Sequence, residues 1–223
     1  MPTENVSGDP PICVVHADDA VVVLDKPSGL LSVPGRGPDK QDCLSARVQA
    51  RFPDALVVHR LDMATSGLMV MARGAAVQRA LGEAFANRLV DKRYEAVVHG
   101  DVAPTGDDWR VIDLPIAVDW PNRPLRVINH ETGKSSVTRL QLRHYDSQRQ
   151  VSHVLLEPLT GRTHQLRLHL QAIGHPILGD ALYAPPGVTA MAPRLLLHAC
   201  ALTFVHPVSG RSMQFSRPNL ASA

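Results

Sequence analysis

The chain has few cysteines and no long apolar segment. Its three cysteines, Cys13, Cys43 and Cys200, are widely separated within 223 residues and form no CxxC pair. This usage indicates neither a disulfide framework nor a zinc site and is typical of a cytosolic protein. No run of 18 or more apolar residues occurs, which excludes a membrane-spanning helix. Residues 1–11 lack the basic and apolar regions of a signal peptide, so we expect a disordered lead-in there.

The sequence also lacks the glycine-rich motifs that bind nucleotide cofactors. Neither GxGxxG nor GxxxxGK[ST] is present, and we therefore expect no dinucleotide or ATP partner. A chain of this length with 44% hydrophobic residues can bury a core without a metal or a disulfide. Aromatic residues make up only 4% of the chain, which leaves few side chains for stacking on bases.

The net charge of +2 does not by itself predict a nucleic-acid partner. The kind of cation is more informative, because 19 of the 23 basic residues are arginine. A planar guanidinium binds phosphate at two points and stacks on bases, which suits RNA. A protein encoded by GC-rich codons would show the same excess of arginine, so the bias only supports an RNA partner.

The residue pattern predicts an α+β protein with a mixed, largely antiparallel sheet flanked by helices. Two β-branched runs, at 12–15 and 21–24, are separated by polar residues and predict a hairpin. Further strands are expected at 57–58, 68–72, 93–99, 136–144, 151–157, 202–205 and 212–215, with mostly loop and short strands at 101–133. Strands outnumber helices and mostly follow one another, which is typical of the α+β class.

Three helices are expected between these strands. The first carries Leu44 and Val48, with Asp42 as its N-cap, and the second spans 75–88. The third runs from about Thr163 to Ile173 and is ended by Gly174. No internal repeat and no linker divides the chain.

The densest polar cluster is the segment 59–67, His-Arg-Leu-Asp-Met-Ala-Thr-Ser-Gly. It is predicted to be a loop between two buried strands, where functional residues are often presented on a rigid scaffold. From these residues alone, Asp62 could be a nucleophile, a general base, a metal ligand or a carboxylate that caps the loop. A hydrolase triad of His59, Asp62 and Ser66 is a further alternative, although no GxSxG motif accompanies it.

A second cluster spans residues 160–170 and coincides with the start of the third predicted helix. A helix N-terminus disfavours a cation, so Arg162 is expected to have an anionic partner. His164 and His169 are five residues apart and do not share a helical face, which argues against a paired metal site. Together with Gln165 they are interpreted as solvent-facing or hydrogen-bonded packing residues.

Two aromatic residues have both a structural and a functional interpretation. Tyr94 lies at the start of a predicted strand, where a tyrosine is commonly a half-buried sheet residue. The segment 120–124, Trp-Pro-Asn-Arg-Pro, is predicted to be an exposed loop with an aromatic ring and a guanidinium. That pair suits stacking on RNA, but a tryptophan that anchors a long loop would give the same pattern.

These motifs, in this order, resemble the RluA family of pseudouridine synthases over about residues 12–217. The matching segments are His-Arg-Leu-Asp with Thr-Ser-Gly (59–67), Lys-Arg-Tyr (92–94), Gly-Arg-Thr-His-Gln-Leu-Arg (161–167), Gly-His-Pro-Ile-Leu-Gly-Asp (174–180) and Leu-Leu-His-Ala (196–199). The resemblance implies the pseudouridine-synthase fold with a catalytic cleft across the sheet. Because only 58 residues precede His59, and 26–35 is typical of the catalytic domain, we expect residues 12–223 to be one catalytic domain without an S4 domain.

The resemblance also implies the reaction, which is the isomerisation of uridine to pseudouridine in structured RNA without a cofactor or a metal. The segments 119–124 and 191–194 are similar to those of members that modify both uridine 32 of tRNA anticodon loops and uridine 746 of 23S rRNA. The expected partners are these two RNAs, with no membrane, and the expected state is a monomer. A non-catalytic RNA-binding relative is the alternative, against which the intact set of Asp62, Tyr94 and Arg162 argues.

By the same resemblance, Asp62 is the catalytic carboxylate and Arg162 pairs with it and keeps it ionised. Tyr94 would lie against the uracil and help to remove the proton from C5. The target uridine must be flipped out of its stack, and Arg60 is expected to fill the space left behind. The expected RNA-binding residues are Arg60, His59, Thr65, Lys92, His164, Gln165 and Arg167. Whether Asp62 attacks the sugar or the base, or assists an elimination, stays open.

Overall fold

Apolar strands joined by polar turns organise the chain, and their arrangement confirms the α+β class with a largely antiparallel sheet. The structure is a computed structural model that describes residues 12–104 and 108–218. The expected disordered lead-in, residues 1–11, lies outside the described residues. No helix in the described stretches is both long and apolar enough to cross a lipid bilayer.

The described residues form two compact units. The first contains the residues up to Val90 together with 202–217, and the second contains 91–201 with Pro218. The expectation that 12–223 form one catalytic domain without an S4 domain stays a prediction.

The first unit begins with the predicted hairpin, formed by β1 (Cys13–Ala17) and β2 (Val21–Lys26). After a 3-10 turn at Pro38–Lys40, the chain forms α1 (Leu44–Arg51), β3 (Ala55–Val57), β4 (Ser66–Arg73) and α2 (Ala75–Ala86). Both β2 and β3 pair antiparallel with β4. The register places Lys26, the last residue of β2, opposite Gly67 near the start of β4. The loop after β2 and the loop before β4 therefore lie side by side.

Strands β2 and β4 each contain a continuous apolar run, 21–24 and 68–72, because both faces of the strands are buried there. Val23 and Val70 belong to an apolar cluster on one face, whereas Leu24 and Met69 belong to a second cluster together with Leu44 of α1. Successive strand residues point to opposite faces, so two clusters require an unbroken apolar run. These two buried strands give the loops at their ends a rigid base.

The second unit is built on an antiparallel sheet with the order β5-β10-β9-β6. A small hairpin of β7 and β8 is separate from that sheet. The elements in chain order are β5 (Asp91–His99), β6 (Arg110–Asp113), β7 (Ile116–Val118), β8 (Arg126–Ile128), β9 (Val137–Asp146), β10 (Val151–Pro158), α3 (Gln165–Ala172) and α4 (Pro186–Thr189).

The C-terminal part of the chain forms β11 (Leu197–Val205) and β12 (Ser212–Ser216). Residues 197–201 of β11 belong to the second unit and 202–205 to the first. The sequence predicts only 202–205 as a strand. The segment 195–201 is almost continuously apolar and buried, so it lacks the alternation from which a strand is predicted.

Two predicted helix starts are wrong. The N-cap of α1 is Cys43 rather than Asp42, and Asp42 instead accepts hydrogen bonds from Arg47 at 2.7 and 2.6 Å. Helix α3 starts at Gln165 rather than 163, because His164 has a left-handed backbone with φ of 58°. Arg162 consequently lies in the turn before the helix. The predicted stop at Gly174, with φ of +87°, is confirmed.

Candidate active site

The polar segment 58–65 of the first unit is a loop between β3 and β4, as its composition predicts. The N–H of Thr65 donates to the carbonyl of Asp62 at 3.1 Å and closes a turn that begins at Asp62. Thr65 is buried and Asp62 is half-buried, whereas Arg60 is exposed. The loop thus holds its threonine inside the unit and presents the arginine to solvent.

Lys26 fixes this loop from the end of β2. Its side chain is fully buried, and Nζ donates to the carbonyl oxygens of Pro27 at 2.9 Å, Leu30 at 2.7 Å and Met63 at 3.0 Å. An ammonium group has three N–H donors, so all of them are used. Burial lowers the pKa of Lys26 to about 8, and the nearby Asp62 carboxylate opposes that shift. At neutral pH the Lys26 ammonium is therefore positively charged, and it contacts the Asp62 loop at the Met63 carbonyl.

Two serines that follow Lys26 bind the same loop on either side of Asp62. Ser32 Oγ donates to the carbonyl of Leu61 at 2.7 Å and accepts the Leu61 N–H at 3.1 Å. Ser28 Oγ donates to the carbonyl of Ala64 at 2.7 Å. The backbone before and after Asp62 is therefore held by side chains of the segment 26–32.

His59 is engaged inside the first unit. Its Nε2 accepts the N–H of Val70 at 3.0 Å, and its ring stacks on Phe85 of α2 with a centroid distance of 4.4 Å. Ser66 is buried at the start of β4. An imidazole nitrogen that accepts a backbone N–H and a buried hydroxyl do not suit a nucleophile–base pair, which disfavours the hydrolase triad of His59, Asp62 and Ser66.

In the second unit, Lys92 and Tyr94 lie on β5. Both are half-buried, as the interpretation of Tyr94 as a sheet residue predicts, and Tyr94 is opposite Leu156 of β10. Burial lowers the pKa of Lys92, and the neighbouring Asp91 carboxylate opposes that shift.

Gln165 fixes the turn that carries Arg162. Its buried Oε1 accepts the Arg162 N–H at 3.0 Å and the Thr160 hydroxyl at 2.7 Å. Its Nε2 donates to the carbonyl of Val137 and to Oγ1 of Thr138, both at 3.0 Å. The exposed Arg162 side chain donates from Nε to the carbonyl of Ser135 at 3.3 Å. The amide of Gln165 thus positions the backbone of Arg162 against β9.

Arg167 is 4% exposed, and its guanidinium faces a carboxylate within the unit. Nε and Nη2 donate to the two carboxylate oxygens of Asp180 at 2.8 and 2.5 Å. The guanidinium carbon also lies 5.2 Å from the ring centroid of Tyr183. The N–H groups of Leu182 and Tyr183 donate to the same carboxylate. Arg167 therefore holds the 180–183 segment against α3, and its expected contact with RNA stays a prediction.

His164 binds the same segment through a phenol. Its Nδ1 lies 2.7 Å from the Tyr183 hydroxyl, which also accepts the N–H of Arg126 on β8 at 3.0 Å. Burial raises the pKa of Tyr183 and keeps the hydroxyl protonated. His169 is also a hydrogen-bonded packing residue, as predicted, with ring contacts to Thr138 and to the Leu114 carbonyl.

The predicted site residues are thus held in two groups, one in each unit. His59, Arg60, Asp62 and Thr65 belong to the first, and Lys92, Tyr94, Arg162, His164, Gln165 and Arg167 belong to the second. Among the described residues, no group of three or more His, Cys, Asp or Glu side chains is arranged to hold a metal ion.

Sequence reasoning missed the residues that hold these groups in place, namely Lys26, Ser28, Ser32, Asp180 and Tyr183. Lys26 did carry a signal, because a lysine that ends a strand as apolar as β2 has to bury its stem. Asp180 ends the matching segment 174–180, but a separation of 13 positions gives no local spacing that marks it as the partner of Arg167.

The comparisons with known proteins agree with these motifs. The family model of the RNA pseudouridylate synthases matches residues 20–172. The dual-specificity RNA pseudouridine synthase RluA of Escherichia coli O6:H1 is 47% identical over 218 residues, which cover 98% of each chain. The protein of the same name from Yersinia pestis is 50% identical over 91% of this chain and 96% of its own.

A solved structure is similar over nearly the whole chain. Human RNA pseudouridylate synthase domain containing 1 has a TM-score of 0.76 and 29% identity, and the match covers 97% of this chain and 86% of the human one. The family model covers more than half of the chain, and the bacterial relatives cover nearly all of it. The chain therefore belongs to the RNA pseudouridylate synthase family, whose members are isomerases.

Proposed function

We propose that this isomerase converts uridine to pseudouridine at two targets, uridine 32 of tRNA anticodon loops and uridine 746 of a 23S rRNA hairpin. The support for two targets is the near-full-length similarity to bacterial proteins that are named dual-specificity synthases. A monomeric state and a cytoplasmic location also stay predictions.

The observation that carries the proposed site is the way in which the Asp62 loop is held. Asp62 is half-buried, and the backbone on both sides of it is fixed by Lys26, Ser28 and Ser32. A carboxylate on a loop anchored in this way is preorganised, which lowers the cost of reaching a reactive geometry. A merely capping aspartate would not need three side chains to hold its backbone.

The proposed reaction conserves atoms and redox state. The bond between N1 and C1′ breaks, the uracil turns, and C5 forms a new bond to C1′. The proton on C5 leaves, and N1 gains a proton. Cleavage of a glycosidic bond builds positive charge on the sugar, which a carboxylate such as Asp62 can stabilise or capture. An attack on the sugar, an attack on the base and an assisted elimination all remain compatible with that residue.

Tyr94 and Arg162 are proposed as the other catalytic residues. Tyr94 would help to remove the C5 proton, and Arg162 would supply the positive charge that keeps the catalytic carboxylate ionised. The Gln165 amide fixes the backbone of Arg162. This supports the proposal, because a guanidinium that acts on a carboxylate has to be held in a defined position.

Arg60 is proposed to fill the space left by the flipped uridine. Flipping a base costs a few kcal/mol, and an inserted side chain offsets part of that loss. Arg60 is exposed and lies two residues before Asp62, which suits this role. His59, Thr65, Lys92, His164, Gln165 and Arg167 stay predicted RNA-binding residues, and several of them also hold the loops described above.

The experiment is tritium release from transcripts labelled at C5 of uridine, with a tRNA and a 23S rRNA fragment as substrates. We expect wild-type protein to release tritium from one position in each RNA and Asp62→Asn to release none. Asp19→Asn is the matched control, because Asp19 is an exposed carboxylate in the β1–β2 turn. This control variant should match the wild-type rate.

Full turnover by Asp62→Asn would overturn the assignment of the catalytic carboxylate. If wild-type protein bound both RNAs but released no tritium, the non-catalytic RNA-binding alternative would replace the proposal. Release from only one of the RNAs would reduce two targets to one.

A further inference from the structure

Trp120 is the most exposed aromatic side chain in the part of the chain that the structure describes. It is 66% exposed, whereas the other eight aromatic residues are buried or half-buried. Its ring is covered on one side by Arg123, whose guanidinium carbon lies 4.6 Å from a ring centroid. The pair therefore combines a flat apolar face with a positive charge.

The loop that carries Trp120 is fixed by its own hydrogen bonds. The N–H of Asp119 donates to the carbonyl of Leu125 at 3.2 Å, and the N–H of Leu125 donates to the carbonyl of Asn122 at 3.0 Å. The Asn122 amide donates to both carboxylate oxygens of Asp119 at 3.2 and 3.0 Å. A loop closed in this way loses little conformational freedom when it binds a ligand, so its exposed ring is preorganised.

The same loop is attached to the turn that carries Arg162. It joins β7 to β8, and the first residue of β8, Arg126, donates its N–H to the Tyr183 hydroxyl. That hydroxyl lies 2.7 Å from the ring of His164, two residues after Arg162. Within the second unit, a short chain of hydrogen bonds therefore links the loop of Trp120 to a segment of the family's catalytic motif.

We infer that Trp120 and Arg123 form a stacking platform for one unpaired base of the RNA substrate, at a position distinct from the reacting uridine. Every base has a π-face, so an aromatic ring can hold one without reading its identity. A guanidinium beside the ring can contact the adjoining phosphate. This inference rests on the proposed RNA substrate and adds a contact that would increase affinity rather than take part in the chemistry.

Tryptophan fluorescence provides a direct test, because the chain has only two tryptophans. The other, Trp109, is half-buried and also has an arginine over its ring, Arg139 at 4.9 Å. Trp109→Phe leaves Trp120 as the reporter, and Trp120→Phe leaves Trp109 as the matched control. Each variant is titrated with an anticodon stem-loop RNA and with a duplex in which every base of that strand is paired.

We expect the stem-loop to quench the emission of Trp120 and to leave the emission of Trp109 unchanged. The Kd from this titration should equal the Kd measured by filter binding. The duplex should quench Trp120 less, since it offers no unpaired base. Trp120→Ala should weaken the Kd and raise KM on the order of tenfold with kcat unchanged, as loss of one base stack predicts. Trp120→Phe should retain most of the affinity, and Val111→Ala, at an exposed apolar residue of β6, should retain all of it.

Unchanged Trp120 emission and unchanged KM of Trp120→Ala, in a protein that still binds and modifies the stem-loop, would overturn this inference and leave the proposed function standing. Equal quenching by the stem-loop and the fully paired duplex would overturn it as well. Absence of both RNA binding and tritium release in the wild-type protein would instead remove the proposed function, and the inference with it.

Discussion

At Lys26 a charged side chain is buried because three carbonyl oxygens take the place of water. Burial of an unpaired ammonium would be very costly, and three acceptors match its three donors. One of these acceptors, the Met63 carbonyl, adjoins Asp62, so the interaction that solvates Lys26 also fixes the proposed catalytic loop.

Lys26→Met should destabilise the protein and reduce turnover. The substitution removes the lysine donor from three carbonyls, of which only that of Met63 is also bonded to a backbone N–H, that of Gly29. We expect the free energy of unfolding to fall by about 2–4 kcal/mol. Urea denaturation measures the loss. Lys40→Met, at an exposed lysine of the same unit, should stay within about 0.5 kcal/mol of wild type. An unchanged urea midpoint for Lys26→Met would contradict the assigned role.

Asp18 gives the first unit a pH-dependent contribution to stability. Burial alone would raise the pKa of Asp18, but hydrogen bonds from His16, from the N–H groups of Val21 and Ala20, and from His206 outweigh burial and hold that pKa well below its ordinary value of 3.8. As pH falls below that value, the unfolded state takes up the proton first. The contribution is therefore complete above about pH 4 and is lost as the medium becomes more acidic.

Asp18→Asn should accordingly cost on the order of 1 kcal/mol at neutral pH, a modest figure because the carboxylate is one-third exposed. The difference from wild type should shrink below pH 4. Thermal unfolding of both proteins from pH 3 to pH 7 measures it. A difference that does not change with pH would show that the ionised carboxylate is not the cause.

At the scale of elements, α3 is held by its polar residues as much as by its leucines. Gln165 and Arg167 both lie in the first turn of a helix whose apolar side chains, among them Leu166 and Leu170, are also buried. Gln165 binds β9 and the turn before the helix, and Arg167 binds the segment after it. These contacts fix the turn before α3 and the segment 180–183 after it.

Breaking the ion pair between Arg167 and Asp180 should be among the more costly single changes in the second unit. The side chains are 5% and 1% exposed, so Asp180→Asn would leave a buried guanidinium without its charged partner, at a cost of about 3–5 kcal/mol. Asp42→Asn is the matched control, since it breaks a similar pair with Arg47 in which the carboxylate is 63% exposed. That variant should change the denaturation midpoint far less, because solvent screens an exposed pair. Equal midpoints in denaturation would contradict the prediction.

At the scale of the whole molecule, a net charge of +2 means that RNA affinity cannot come from overall charge. It has to come from a limited set of arginines that bind phosphates. The affinity should then fall linearly with salt on logarithmic axes, with a slope set by the number of phosphate contacts.

Variants in the loop of Trp120 separate stacking from phosphate binding in such a titration. Trp120→Ala should lower the affinity equally at every salt concentration and leave the slope unchanged, because an apolar contact releases no counterions. Arg123→Ala should reduce the slope by about 1 if its guanidinium contacts a phosphate. Filter binding between 50 and 200 mM salt is the measurement, and a reduced slope for Trp120→Ala would contradict this division of roles.

The predicted strands were confirmed where their residues alternate or are β-branched, as in β1, β2, β9 and β10. The helix starts at Asp42 and residue 163 were placed wrongly, since capping depends on backbone angles that the sequence only suggests. The half of β11 at 197–201 was missed because a segment buried on both faces has no alternation.

The sequence by itself determined the family and the α+β class, and it identified the segments that carry Asp62, Tyr94 and Arg162, because these features are local and their order along the chain is distinctive. Only the tertiary structure decided which polar groups are buried and what they bind. Lys26, Gln165 and Arg167 find their partners up to 37 residues away, so no spacing in the sequence marks those contacts. The folding of β-strands against one another brings such groups together, and desolvation then requires every buried donor and acceptor to be paired.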